Sequence, residues 1–467
     1  MINIARRQLM DGLRDAKFLF LALLVLLAFI ANGVVFRENN RLEKEDHRTA
    51  ITETNRLMQG VCGNLQSAAI FLQRMIRPPS SLAFIAEGGG NMMPNAVVIN
   101  AFSRWGIEYQ QRNNEKIPVL PPIDWSFIVG VMMTLLAVLV SYNAVAGEKK
   151  DGTLKLVLSN PVSKLKLFVG KYLGLLVTML ICLLTGVVLN LVVMVMMGGP
   201  QLTAETLWPV AWALMLAFLC ISAFLLAGIA VSSMTRSPAV ALVVLLVLWV
   251  LAVFAVPGIG RLAAEQLVKV PSQAMVEEEI YRAQEEIWEN RPRDAANWNG
   301  NPFEPHVPQR AKLSWDQISA RERISDSYID SQIRQVLAAK QISAVSPYGL
   351  LGDSFEVLAG TGVYGFEQLH RNSIAYRRHL YQFVVNRDKS DPDTPHLVYG
   401  YYSSYDSGVF SQRPVPFAAI PKPSALWKET GLSIEREWPL WQLLVMLGFN
   451  LLAGVVALIS LLRYDPR

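Results

Sequence analysis

Six stretches of unbroken apolar sequence divide a chain that is otherwise mixed and polar. They run Phe18–Phe36, Trp125–Ala146, Phe168–Met197, Thr206–Ser232, Pro238–Pro257 and Trp438–Leu462. Each reaches the roughly 20 residues a helix needs to cross the hydrocarbon layer. No Asp, Glu, Lys or Arg stands in the interior of any of them; Lys171 lies in the first turn of the third. Trp125, Trp208, Trp438 and Trp441 mark span ends, where amphipathic rings settle at a membrane boundary. The pattern predicts an all-α polytopic membrane protein with six transmembrane helices. The first span is expected to be an uncleaved anchor. Its apolar run is longer than a signal core, and Asp11 and Asp15 sit in the segment before it.

Polar sequence between the spans predicts two enlarged regions, 37–124 and 258–437. In the first, a helix-prone stretch from Glu38 to Ile76 is expected to prolong the first span. Pro78 and Pro79 are expected to end it, and Gly88, Gly89 and Gly90 to make a turn. In the second, Leu262–Glu289 and Ala311–Ala344 predict a helical hairpin around a loop from Asn290 to Gln309. A third helix is expected from Phe355 to about Asn386. Asp391–Pro423 reads as irregular, with short strands around Leu397–Tyr402. A mainly helical domain outside the bilayer follows.

Charge orients the chain. Of 467 residues 52% are hydrophobic and 17% charged, against about a quarter charged in soluble domains. The net charge of +5 is spread over segments beside the spans rather than gathered on one polar domain, which argues against nucleic acid as a partner. Arg6, Arg7, Arg14 and Lys17 precede the first span. Lys149, Lys150, Lys155, Lys164, Lys166 and Lys171 crowd the link between the second and third. Arg236, Arg463 and Arg467 complete the set. With six spans all of these fall on one side, which the positive-inside rule makes cytoplasmic. Segment 1–17, link 147–167 and tail 463–467 are then inside, and both enlarged regions outside. Cys62, Cys182 and Cys220 are scattered and suggest neither a disulfide framework nor a metal site.

The most informative stretch is Ala146–Gly174. Asp151-Gly152-Thr153 is a turn carrying a helix cap. Leu154, Val157 and Leu158 then share one face of a short helix, Pro161 stops it, and Ser163 caps the next. An amphipathic helix about 15 Å long, lying along the inner surface, can dock into a partner's groove. An ordinary basic loop anchoring lipid headgroups satisfies the same pattern.

The stretch resembles the signature of ABC-2 type permeases in Glu148, Gly152-Thr153-Leu154, Asn160-Pro161-Val162 and Gly170-Lys171. Ile2, Ala5, Leu9 and Leu13 fall on one helical face, with Arg7 and Arg14 on another and Arg6 at the border, as in that family's elbow helix. Arg77-Pro78-Pro79-Ser80-Ser81-Leu82, Glu87-Gly88, Ser346-Pro347, Ala359-Gly360-Thr361-Gly362 and Leu462-Arg463-Tyr464-Asp465 look like a subfamily with enlarged outer domains. The resemblance implies a bacterial inner-membrane permease and an ABC ATPase partner in two copies. That partner would bind ATP and Mg, and a second permease, the same chain or a related one, would complete the assembly. Glu148 to Lys171 would form the coupling element: Gly152 and Pro161 shape it, Leu154 and Leu158 make apolar contact, and Thr153, Val157 and Gly170 lie within it.

Other chemistry finds little support. At Gly170-Lys171, Tyr172 stands where a phosphate-binding loop needs Ser or Thr, and Leu165 where it needs Gly. The chain is therefore expected to carry no ATPase, cofactor or metal of its own. Uncharged spans argue against an ion-coupled transporter. Asn143, Asn190 and Asn450 are candidates for an intramembrane polar path, and interhelical hydrogen bonding is the plainer role. His47, His306, His370, His379 and His396 all fall in the outer regions, and His370 and His379 point to nearly opposite helix faces. A membrane enzyme would need an acidic or histidine cluster at one membrane face, which Glu148, Asp151 and Glu205 do not form. The remaining alternative to export is an ATP-driven mechanical device acting on a periplasmic or surface partner.

Overall fold

The computed structural model describes residues 2–89, 93–108, 123–159, 163–199, 203–293, 307–398, 410–424 and 439–463. Among them, six helices are long and apolar enough to cross a membrane. The protein is an all-α polytopic membrane protein apart from one small sheet.

Helix α1 (Ile2–Arg14) is separated from α2 (Ala16–Val61) by Asp15, whose extended backbone breaks the helix and whose carboxylate accepts from Lys17 N at 2.9 Å. α2 holds the first span and continues as a polar helix for some 70 Å in all. It ends at Val61, earlier than expected. Asn64 then caps a short α3 (Leu65–Ile70), and Gln73–Ile76 is strand β1 rather than helix. β1 pairs antiparallel with β2 (Ala96–Ile99), and β2 with β3 (Arg104–Glu108). The hydrophobic periodicity did not disclose this sheet, because its strands are only four or five residues long.

The second span starts as α4 (Trp125–Phe127), widens into a π-helical turn at Ile128–Met133, and continues as α5 (Thr134–Ser141). Asp124 caps it, accepting from Phe127 N and Glu87 N at 2.9 Å each. Burial pushes the Asp124 carboxyl up to about 6, against the opposing pull of those two donors. Short α6 (Ala146–Lys150) and α7 (Thr153–Ser159) lead to the third span, α8 (Lys164–Met196). α9 (Ala204–Met234) and α10 (Pro238–Val250) follow. The fifth span then passes through a second π turn, Leu251–Ala255, into α11 (Val256–Leu267). The sixth is α16 (Leu440–Leu462).

In the large domain α12 (Gln273–Glu289) and α13 (Val307–Ser343) form the expected hairpin, tied by reciprocal bonds between the Gln284 and Gln317 amides and each other's carbonyls. Leu262–Glu289 is not one helix, since it breaks between Val268 and Ser272. Nor is the third helix single. α14 (Pro347–Ala359) and α15 (Gly362–Asp388) are separated at Gly360 and Gly362, with φ of 62° and 58°, a region that side chains avoid. Leu397 and Val398 are buried but not in a strand; most of the expected strand and of the Asn290–Gln309 loop lies outside the described residues.

α14 belongs to the bundle, not to the large polar domain that the sequence assigned to 258–437. Leu350, Leu351, Phe355 and Leu358 are fully buried in one core with Trp125, Leu216 and Cys220. The two π turns receive it. Gly130, in the first, lies against the Tyr348 ring, so that a Cβ there would come within 2.7 Å. Ala252 O, in the second, accepts from Ser346 Oγ at 2.6 Å. A π turn offsets its carbonyls from the regular ladder, and here one of them is taken by the incoming helix. A second core joins α3, the sheet and α15 through Leu65, Met75, Ile99, Leu369 and Tyr376.

Candidate functional site

The sequence singled out the link between the second and third spans. The structure shows what holds it. After α5 the chain makes a tight turn over Tyr142–Val145. There Ser232 Oγ accepts from Val145 N at 3.0 Å and Ala146 N at 2.9 Å, and donates to Tyr142 O at 2.7 Å. One hydroxyl from the fourth span thus satisfies three backbone groups that the turn would leave buried. Lys149 Nζ donates to the Ser233 and Thr235 carbonyls, the free C-terminal end of α9.

Glu148 on α6 and Lys171 on α8, 23 positions apart, meet at 2.8 Å. Lys171 is 2% exposed and also donates to Ala144 O at 2.6 Å. A lysine this deep needs both partners to offset lost hydration. Glu148 Oε2 is buried without a hydrogen-bond partner among the described residues. Gly152, with φ of 73°, turns the chain from α6 into α7, and Thr153 Oγ1 donates back to Glu148 O at 3.4 Å.

Short α7 has two sides. Leu154 is fully buried in the bundle core, and Val157 packs against that core. Leu156, by contrast, is 68% exposed. Leu154, expected to supply apolar contact to a partner, instead anchors α7 to its own bundle, and among the described side chains of α7 Leu156 is the apolar one turned outward. Pro161 lies outside the described residues, as do the side chains of Leu158 and Leu13.

The N-terminal helix completes this face. α1 packs along the start of α8, where Gly174 allows it to come close: a Cβ there would lie 2.7 Å from Gln8 Cβ and 2.8 Å from Ala5 O. Gly170 is buried one turn earlier on α8. Arg6 and Arg7 are exposed, Arg7 in a loose pair with Asp11 at 3.8 Å, while Leu9 is partly buried. Lys164 Nζ donates to Leu462 O at 2.8 Å, tying the end of the sixth span to the same face.

A family model described as an ABC-2 family transporter protein matches residues 2–314, from α1 through five of the six candidate spans. The chain belongs to the ABC-2 transporter family. As an ABC-2 family member it is a multi-pass membrane permease component of an ABC transporter, and an ABC ATPase partner is implied in general. No curated protein matches it.

The three asparagines separate within this ABC-2 chain. Asn190 is fully buried; its amide donates to Phe29 O at 2.6 Å and Asn32 Oδ1 at 2.8 Å, and its oxygen accepts from Trp125 Nε1 at 3.3 Å. Asn450 donates to Leu219 O and Met446 O and accepts from Ser222 Oγ at 2.5 Å. Both act as bonds between helices. Asn143 is exposed in the turn after α5, its side-chain oxygen against Gly147. Sequence reasoning missed Ser232 and Gly174, and counted Lys149 only as one of the link's basic charges. Serines and glycines are common in spans, and nothing in the sequence says which ones face a turn or a second helix.

Proposed function

We propose that the chain is the membrane subunit of an ATP-driven exporter in the bacterial inner membrane, with both termini cytoplasmic. In this reading α7, flanked by α1, docks onto a separate ATPase. The observation that carries the proposal is the Glu148–Lys171 pair. It fastens the docking element to the third span, so a push on α7 reaches the membrane helices rather than bending a loop. ATP and Mg would be held by the partner, present in two copies beside a second permease, identical or related. Leu156→Asp tests the docking step. The variant is expected to insert and purify normally and to bind the ATPase at least tenfold more weakly. Undiminished ATPase binding and coupled transport in that variant would overturn the proposal.

One observation favours a second reading, mechanical work on an outer partner. Lys340 on α13 lies 2.8 Å from Glu356 and 3.6 Å from Asp353 on α14, and Gln442 on the sixth span donates to Asp353 at 3.3 Å. The long outer helix is thereby linked through α14 to a membrane helix. Nucleotide-dependent motion of α13 in vesicles that move no cargo would support this reading over export.

A further inference from the structure

Beyond Phe36 helix α2 leaves the first span and turns charged. Arg37, Arg41, Lys44 and Arg48 follow at intervals of four, three and four, which places them on one face. With Asn40, Thr49 and one carboxylate, Glu45, they form one wall of a cavity of about 390 Å³, and Gly198 and Gly199, just after α8, form the other. The two walls are joined where Arg37 Nε donates to Met197 O at 2.8 Å. Gly198, with φ of 70°, makes the turn that keeps this wall free of side chains.

The cations outnumber their local compensation. Arg41 is taken by Glu38 at 2.5 Å and Glu45 at 3.5 Å. Among the described residues Lys44 and Arg48 make no ion pair, and the charged neighbours that Lys44 feels most are Arg37 and Arg48, both of its own sign. Like charges one helical turn apart repel, so this face is destabilised unless an anion lies against it.

Depth selects the kind of anion. Arg37 directly follows the first apolar span and Met197 is the last residue of the third, so the cavity floor sits at the edge of the hydrocarbon. At 1.5 Å per residue, Lys44 and Arg48 stand about 10 and 16 Å beyond Arg37. A headgroup layer is roughly 5–8 Å deep on each side of the bilayer, so Lys44 reaches it only because a helix side chain leans back toward the N-terminus, and Arg48 stands above it. Directly below, Val34, Val35, Val195 and Met196 are 41%, 46%, 51% and 81% exposed. A single arginine at the span end would suffice as a membrane anchor. A cationic wall continuing three turns upward, above an apolar one, fits a phosphate attached to hydrocarbon chains.

We propose that this cavity binds the phosphate headgroup of an anionic phospholipid from the leaflet beside the outer domain. The phosphate is held by Arg37 and Lys44, with Arg48 above it adding longer-range attraction, and the chains lie along the exposed valines of α2 and α8. A free phosphate would share the cationic contacts but gain nothing from the apolar surface. The site stands apart from the ATPase-coupling reading and does not depend on it.

Thermal unfolding of the full chain in detergent tests the assignment, with phosphatidylglycerol, phosphatidylcholine of the same chains, and inorganic phosphate as probes. Phosphatidylglycerol is expected to raise the midpoint of the native chain and the other two to leave it unchanged. Lys44→Gln with Arg48→Gln should weaken the apparent affinity for phosphatidylglycerol about tenfold. Lys44→Arg with Arg48→Lys, which preserves charge, should retain it, so that a folding defect cannot imitate the result. An unaltered response in the neutral variant, or an equal response to phosphatidylcholine, would overturn the site. An equal response to inorganic phosphate would overturn the lipid as its ligand.

Discussion

Lys171 Nζ lies 2.8 Å from Glu148 Oε1 and 2.6 Å from Ala144 O, so one buried ammonium closes the turn between the second and third spans from the side of the third. Two residues that bracket the link in sequence are its clasp in space. Lys171→Met keeps most of the stem and removes the charge, leaving a half-covered carboxylate and a buried carbonyl without their donor. The expected loss is about 3 kcal/mol, read as a fall in unfolding midpoint. Glu148→Gln added to Lys171→Met should recover part of that loss, because the second change removes the orphaned charge. A double-mutant cycle with no coupling would show that the pair is adventitious.

Gly174 governs how closely α1 can lie on α8. Gly174→Val is expected to push the N-terminal helix away, since its first carbon alone would fall 2.7 Å from Gln8 Cβ and 2.8 Å from the Ala5 carbonyl. A local cost of about 1–3 kcal/mol follows, well short of unfolding the bundle. Limited trypsin cleavage at Arg6, Arg7 and Arg14 should become several times faster while the spans stay protected. An unchanged cleavage rate would mean that α1 is not held by this contact.

His370 is expected to make the domain built on α13 and α15 sensitive to acid. It is 4% exposed, with Nδ1 3.5 Å from an Arg104 nitrogen and Nε2 3.7 Å from both Asp326 and Asp330. Burial, then Arg104, hold its pKa below the ordinary 6.5, against the opposite pull of Asp326, Asp330 and Glu322. The folded protein therefore favours neutral imidazole. As pH falls below 6.5 the unfolded state takes up the proton first, and stability declines until the folded pKa is passed. Asp124 acts in the other direction. Its raised pKa means that stability falls as pH rises from 3.8 to about 6. The comparison that isolates the histidine is His370→Gln, which should flatten the decline between neutral pH and pH 5 in thermal unfolding. An identical pH profile in the variant would remove His370 from the account.

Much of the architecture was legible because a bilayer is a severe solvent. It demands long uncharged runs, and six of them can be counted without knowing any contact. The turn at Gly152 and the cap at Ser163 were equally legible, since their chemistry is local. The sheet was not. Gln73–Ile76 reads as the tail of a helix until Ala96–Ile99 lies beside it. Strand identity there depends on hydrogen bonds to residues twenty or more positions away.

Residue order alone was enough to say which segments suit the membrane, where the basic link lies, and which residue types it carries. Those are questions of composition and near-neighbour spacing, settled by transfer energies and backbone preferences. It took the packed fold to show that Leu154 faces inward and Leu156 outward, that Ser232 serves the turn at Tyr142–Val145, and that α14 is a core element between two π turns. Each of these depends on which helix stands opposite. An apolar side chain on a short helix can face lipid, its own bundle or a partner with equal chemical sense, and packing alone selects among them.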